Sequence, residues 1–479
     1  MSLKSKTVSG LFWVALSSTL VRVARVGTSI VLAWILVPED FGLIAIGLLA
    51  TDMLILFRDM GFGQALIHRK KDIKEAANTT FMMLLINGIV FTLLAWFLSP
   101  AIADFFNEPR ATAVIQLLSI TIFTTAIGTV PYSLLDKELS FKKKFIPEVV
   151  PIVAYALIAV VLAWIGWGYW SMVAGKIISA FIWLGITYYV SPFRPDFSFN
   201  FKIAKELFSY GKHILGAFLL LLLATKLDVA FIGKFLGTTA LGYYTLAYFI
   251  ANLPALNISQ VVNRVMFPAY SKIADLKGKL SDAYLLTVKY VALISIPISV
   301  AIFILAPEVV HSVLGEKWIP ATSALRVLAV FGLFRAVSSS MGELFKAMGR
   351  PEILEKLILF QVVFFLLIIY PISQVFEDGI TGVGWAVTIP IFFVTAIGFK
   401  ISTSMLDITF SQLAQTFSTS ILAAAFMSAC ILTVKYTVFP APTIIGFMIE
   451  VFVGSLAYVL ALLIIERPLI GEIRGIIGK

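Results

Sequence analysis

The sequence predicts an all-α polytopic membrane protein of about fourteen transmembrane helices, organised as two pseudo-symmetric six-helix lobes plus two C-terminal helices. Three observations lead there. Of 479 residues, 60% are hydrophobic and only 13% charged, where a soluble domain carries roughly 25% charged residues. The lysines and arginines fall in alternate loops. Two stretches of the first half are echoed about 200 positions later.

A bilayer crossing takes about 20 mostly apolar residues. On that rule the spans lie near 9–36, 41–63, 78–98, 112–134, 147–166, 169–190, 211–233, 240–264, 284–306, 321–346, 354–376, 381–401, 416–437 and 442–465. The opening run is too long for a cleavable leader and is interrupted by Arg22 and Arg25, so it reads as the first membrane helix. With Lys4 and Lys6 in the cytoplasm, every second loop should be basic. The inner set is then Arg69-Lys70-Lys71 and Lys74; Lys137 and Lys142-Lys143-Lys144; Arg194, Lys202, Lys205 and Lys212; Arg264, Lys272, Lys277 and Lys279; Lys346, Arg350 and Lys356; Lys400; and Arg467, Arg474 and Lys479. The outer loops hold only Arg110, Lys234, Lys317 and Lys435. A wrong helix count would scramble this alternation, so it supports an even number of spans with both termini inside. It also accounts for the net charge of +10 without a nucleic-acid partner.

The echoes are Leu36-Val-Pro-Glu-Asp-Phe41-Gly42 against Leu236-Gly-Thr-Thr-Ala-Leu241-Gly242, and Ala111–Leu118 against Ala321–Leu328. They divide the chain into an N-lobe over 1–205, a C-lobe over 206–405, and two further helices with a tail over 406–479. No loop is long enough to fold as a soluble domain.

The informative residues are the charges that fall inside spans, because lipid penalises them. Ser18, Arg22, Arg25 and Ser29 share one face of the first helix by i, i+4, i+7, i+11 spacing. Two guanidiniums one turn apart suit a phosphate or diphosphate, since each donates two parallel hydrogen bonds. The alternative is ion pairing with carboxylates of the next helix, Asp52 first and Asp59 seven residues on along the same face. Lys226 and Asp228 sit in the seventh helix, two apart and so unable to pair with each other. Asp228 would either serve a coupling cation or proton, or neutralise an arginine. Arg335, Ser339 and Glu343 share a face of the tenth helix, and Lys176 in the sixth is a further cation. Arg58, Lys289 and Arg326 lie near span ends, where long side chains reach the headgroups. Asn252, Asn257, Gln260 and Asn263 read as interhelical hydrogen-bonding groups. Trp164, Trp167 and Trp170 read as an interfacial belt.

Cofactor and catalytic signatures are missing from the sequence. There is one cysteine, Cys430, and three separated histidines, which leaves no grouping for a metal. No Walker loop, HExxH or GxSxG motif occurs. The expectation is a protein that is not an enzyme, takes no cofactor, and draws any uphill work from an ion gradient, the membrane potential or a substrate gradient.

Arg58-Asp-Met-Gly61-Phe-Gly-Gln-Ala-Leu-Ile67 resembles the signature of polysaccharide transporter proteins, O-antigen and exopolysaccharide flippases of the multidrug/oligosaccharidyl-lipid/polysaccharide exporter superfamily. So does Asp228…Ile232-Gly233-Lys-Phe-Leu236-Gly237…Leu241-Gly242-Tyr243-Tyr244…Ala247, with Pro254 and Phe267-Pro268…Ser271 following. The resemblance covers most of the chain, best over 1–280. It implies two six-helix lobes around a central cavity in the cytoplasmic membrane of a prokaryote, acting as a monomer. The substrate it implies is a polyprenyl-diphosphate-linked oligosaccharide, moved by alternating access while its lipid tail stays in the bilayer. Membrane lipids are the other partner, with a coupling cation. Arg22, Arg25 and Arg335, joined by Lys176 and Lys226, would hold the diphosphate or acidic sugars. Three other readings stand beside this one. A peptidoglycan lipid-precursor flippase would use the same basic residues. A drug/cation antiporter would want an acidic cavity. A membrane polysaccharide polymerase or ligase would want a sizeable outer loop.

Overall fold

The computed structural model describes the backbone of residues 3–439 and 441–466, and the side chains there except at 3–11, 212–214, 217, 256–261 and 263–265. Lys4, Lys6, Lys212, Asn257, Gln260, Asn263, Arg264, Arg467, Arg474 and Lys479, all named above, lie outside the described side chains. The described residues form helices and short turns without strands, as an apolar chain must in lipid, where backbone groups find no water to bond. Twelve helices among them are long and apolar enough to cross a membrane. The expected fourteen would also require α8 and the α9–α10 run described next.

The chain forms two compact units, Met1–Gly242 and Tyr243–Lys479. The first contains α1 (Leu3–Ile35), α2 (Pro38–Asp59), α3 (Phe62–His68), α4 (Ile73–Phe105), α5 (Ala111–Lys137), α6 (Phe141–Trp164), α7 (Tyr169–Val190), α8 (Phe201–Phe235) and the start of α9 (Gly237–Ala251). The second continues through α10 (Leu253–Lys272), α11 (Lys277–Ile304), α12 (Ala306–Glu308) with two irregular turns, α13 (Ala321–Ala347), α14 (Pro351–Ser373), α15 (Ile380–Leu406), α16 (Phe410–Thr437) and α17 (Ile444–Ile465).

Each unit repeats one packing order. In the first, α5 packs on α2, α4 and α7, and α7 on α6; in the second, α13 packs on α10, α11 and α15, and α15 on α14. The echoed segments at 111 and 321 open the two central helices. Helices α16 and α17 pair with each other and attach mainly through α11. Small residues mediate the close packing: Ala292, Ala423, Ala424 and Ala461 line the core where α11, α16 and α17 meet.

The echo at 36 and 236 is a physical pair. A Cβ on Gly42 would run into the Thr238 carbonyl oxygen, and a Cβ on Gly242 into that of Pro38. The first turns of α2 and α9 therefore touch backbone to backbone in a reciprocal contact within the first unit.

Two expected spans are broken rather than continuous. Helix α2 ends at Met60 and Gly61, both left-handed (φ 43° and 70°), a conformation that glycine adopts without strain. The chain then turns into α3, so the Arg58–Ile67 signature is a helix–turn–helix corner. The eighth expected span divides at Asn252, one residue before α10, whose second position is Pro254; proline cannot supply the N–H that would continue α9.

Candidate functional site

The apolar part of α1 runs Phe12–Ile35, and Arg22 and Arg25 straddle its middle. Arg25 is exposed and Arg22 half-buried. From α8, Lys226 Nζ reaches Asp52 Oδ2 of α2 at 3.2 Å, with the two side chains 35% and 44% exposed. From α7, the Lys176 ammonium lies over the Tyr155 ring at 5.5 Å and within electrostatic range of Asp52, Arg25 and Lys226. Helices α1, α2, α7 and α8 of the first unit thus bring Arg25, Lys176 and Lys226 near the Asp52 carboxylate, formally +2 from three cations less one anion, with Arg22 one turn from Arg25 on α1. An exposed charge at this depth cannot face hydrocarbon without a cost of at least ~2.5 kcal/mol each. The cluster carries net positive charge.

The carboxylates of α2 meet these partners. Asp52 bonds Lys226, 174 positions away. Asp59 is bridged to its neighbour Arg58 at 2.5 Å. Arg58 itself does not reach for headgroups. Its side chain is 1% exposed, and Nη1 donates to the Ile122 carbonyl (2.9 Å) and the Thr125 hydroxyl (3.1 Å) of α5. The turn into α3 places Arg58 inside the bundle, where a guanidinium must find acceptors.

Asp228 is buried, and its Oδ1 accepts from the Val229 N–H at 2.8 Å. It is a packed group of α8.

In the second unit Arg335 sits at the middle of α13. Its Nη1 donates to the Tyr248 hydroxyl (2.7 Å) and the Asn252 side-chain oxygen (3.3 Å), and the guanidinium lies 5.9 Å from the Phe331 ring centre. Asn252, expected to act between helices, does so, linking the α9–α10 break to α13. Glu343 does not join Arg335; it is buried and bonded to Lys346 at 2.9 Å.

Two charged groups escaped the sequence reading. Arg110 bonds Glu108 through Nε and Nη2 (2.7 and 2.8 Å) and also Glu39, while the Thr238 hydroxyl donates to Glu108 at 3.4 Å. The Arg110 hydrogen bonds hold the Glu108 carboxyl below the usual carboxylate range, with burial opposing. This network ties the loop after α4 to the glycine contact of α2 and α9. The second group, Glu308, Lys435 and Glu450, comes from α12, α16 and α17, segments whose proximity nothing in the spacing announces.

Comparison with known proteins follows this geometry. A family described as polysaccharide biosynthesis protein matches residues 31–323, well over half the chain. The teichuronic acid biosynthesis protein TuaB of Bacillus subtilis is 27% identical over 74% of this chain and 73% of its own length. The succinoglycan biosynthesis transport protein ExoT of Rhizobium meliloti is 26% identical over 74% and 72%. Among solved structures, the lipid II flippase MurJ in an inward closed conformation superposes with a TM-score of 0.76, covering 95% of this chain and 100% of its own, at 14% identity. The helical fold is the one they share.

Proposed function

This chain belongs to the polysaccharide biosynthesis protein family, and from that premise we propose that it is a flippase for a polyprenyl-diphosphate-linked oligosaccharide in surface polysaccharide synthesis. The observation that carries the reading is the mid-span gathering of Arg25, Lys176 and Lys226 near Asp52 in the first unit, with Arg22 one turn from Arg25. A diphosphate carries negative charge that lipid excludes; guanidiniums at mid-span replace its water with paired hydrogen bonds. Arg25 and Arg22 are the first ligands in this account. Lys176 and Lys226 supply further positive charge, and Asp52 keeps Lys226 oriented until the headgroup arrives. Arg335 is the corresponding cation of the second unit, already hydrogen-bonded and thus pre-aimed. Asp228, Asp59 and Glu343 act as charge-balancing groups.

Alternate exposure of the headgroup site to the two sides would carry the glycan while the polyprenyl chain stays in lipid. In this reading both termini lie in the cytoplasm, which the alternation of basic loops supports, and the membrane is the cytoplasmic membrane of a prokaryote. The proposed working unit is a monomer, with its functional repeat divided at 205 and 405. It performs no covalent chemistry in this account, and a coupling cation or proton supplies the driving force. A drug/cation antiporter fits poorly, since a cationic drug would be repelled from a net-positive cluster.

The test is complementation. In a strain lacking the chromosomal gene, Arg22→Ala with Arg25→Ala should abolish export while the protein remains folded and at normal abundance. Full export by the double variant would reject the headgroup role. Mass spectrometry of the lipid-linked intermediate that accumulates in that strain identifies the glycan.

A further inference from the structure

The second unit holds a charged cluster for which the transport reading has no use. Glu308 lies on α12, Lys435 in the last turn of α16 and Glu450 near the start of α17. Lys435 Nζ stands 2.7 Å from Glu308 Oε1, with side chains only 15% and 4% exposed, and it also donates to the Ile304 carbonyl at 3.4 Å. Glu450 is 1% exposed and interacts electrostatically with both Glu308 and Lys435. One oxygen of each carboxyl, Glu308 Oε2 and Glu450 Oε2, is buried without a hydrogen-bond partner among the described residues.

Two carboxylates therefore share one ammonium. With both ionised, the cluster would bury a net negative charge in an apolar bundle, at a cost of several kcal/mol; a buried carboxyl avoids that by taking up a proton. A metal ion is the poorer neutraliser. Lys435 already holds the cation position beside Glu308, and no group of three metal-ligating side chains exists among the described residues.

We propose that Glu450 binds a proton at neutral pH, and that Glu308, Lys435 and Glu450 form a proton-binding site in the second unit. Lys435 is hydrogen-bonded to Glu308, while Glu450 Oε2 is buried with no hydrogen-bond partner among the described residues, which is where the proton would sit. The remaining titratable groups on elements packed against α17 are engaged elsewhere or exposed. His311, on the turn Val309–Leu314, is exposed and faces Glu316 at 3.8 Å. Lys289 of α11 is bridged to Glu466 at the far end of α17. The Tyr458 hydroxyl donates to the Leu293 carbonyl at 2.7 Å. On α16, Tyr436 is exposed and Cys430 lies deeper. The loop charges put this end of α16 and α17 outside, so the site would exchange protons with the outer face.

The test uses purified full-length protein in lipid nanodiscs and infrared difference spectra between neutral and alkaline buffer. The wild type should show a carboxylic-acid carbonyl band at neutral pH that is lost on alkalinisation. In Glu450→Gln, which keeps the shape and neutrality of the protonated acid, that band should be missing and the protein should fold normally. In Glu308→Gln the Glu450 acid band should weaken at neutral pH, since Lys435 is then free to pair with Glu450. A band unchanged in Glu450→Gln, no band in the wild type, or a Glu450→Gln protein that fails to fold would each overturn the proposal. None of these measurements needs a substrate, so their outcome is separate from that of the export test.

Discussion

The bond between Lys226 and Asp52 decides whether the mid-span charges are a solvated working surface or a structural ion pair. A dry pair of this kind costs about 3–5 kcal/mol when one partner is removed, because the other is left charged in a low dielectric. A solvated pair is worth roughly 0.2–1 kcal/mol. At 3.2 Å with side chains 35% and 44% exposed, the solvated figure applies. A double-mutant cycle measures the difference: Asp52→Asn, Lys226→Met and the two combined, each unfolded as purified protein in detergent. The coupling energy should not exceed about 1 kcal/mol. A coupling of about 3 kcal/mol or more would refute the reasoning and make the pair a structural bolt.

Other substitutions should behave differently. Arg58→Met removes a guanidinium bonded to α5 and to Asp59, and should destabilise by about 3–5 kcal/mol in the same unfolding assay; a loss below about 1 kcal/mol would contradict its buried role. Gly42→Ala pushes a methyl into the Thr238 carbonyl and should cost about 1–3 kcal/mol, whereas Gly185→Ala, with nothing within 4 Å, should change stability by no more than about 1 kcal/mol, in the stabilising direction. Glu108 is depressed by Arg110, so its contribution is present above the ordinary carboxylate pKa and lost as pH falls through the acid range. Arg110→Met should flatten that acid limb in a series of melting curves. A cysteine placed at Lys143 should resist impermeant reagents added outside intact cells, and its labelling would overturn the assigned orientation.

Much of this architecture is written in residue type. Composition and loop charge specify a helical membrane protein, and the echoes at 36/236 and 111/321 mark the repeat, because the same backbone contact and the same central helix demand similar residues twice. The α1 arginines are legible from helical spacing alone. Their surroundings are not, since Lys226 reaches Asp52 across 174 positions and no local pattern encodes such a meeting. Arg58 misleads for a definable reason. Its distance from a span end looks short only if α2 ends at the membrane surface, and the Met60–Gly61 turn returns the chain into α3 instead. The Glu308–Lys435–Glu450 cluster is hidden because its members come from three segments up to 142 positions apart, even though Glu450 falls inside the expected 442–465 span.

The most direct test of a wet, positively charged face is chemical access to its middle. In a Cys430→Ala background, which should retain export, Ser29→Cys places a thiol on the same face of α1 as Arg25. Water-soluble methanethiosulfonate reagents of opposite charge should both reach it, the anionic one faster, and Lys226→Met should narrow the ratio. Failure of both reagents to react, or faster reaction of the cationic one, would contradict the account.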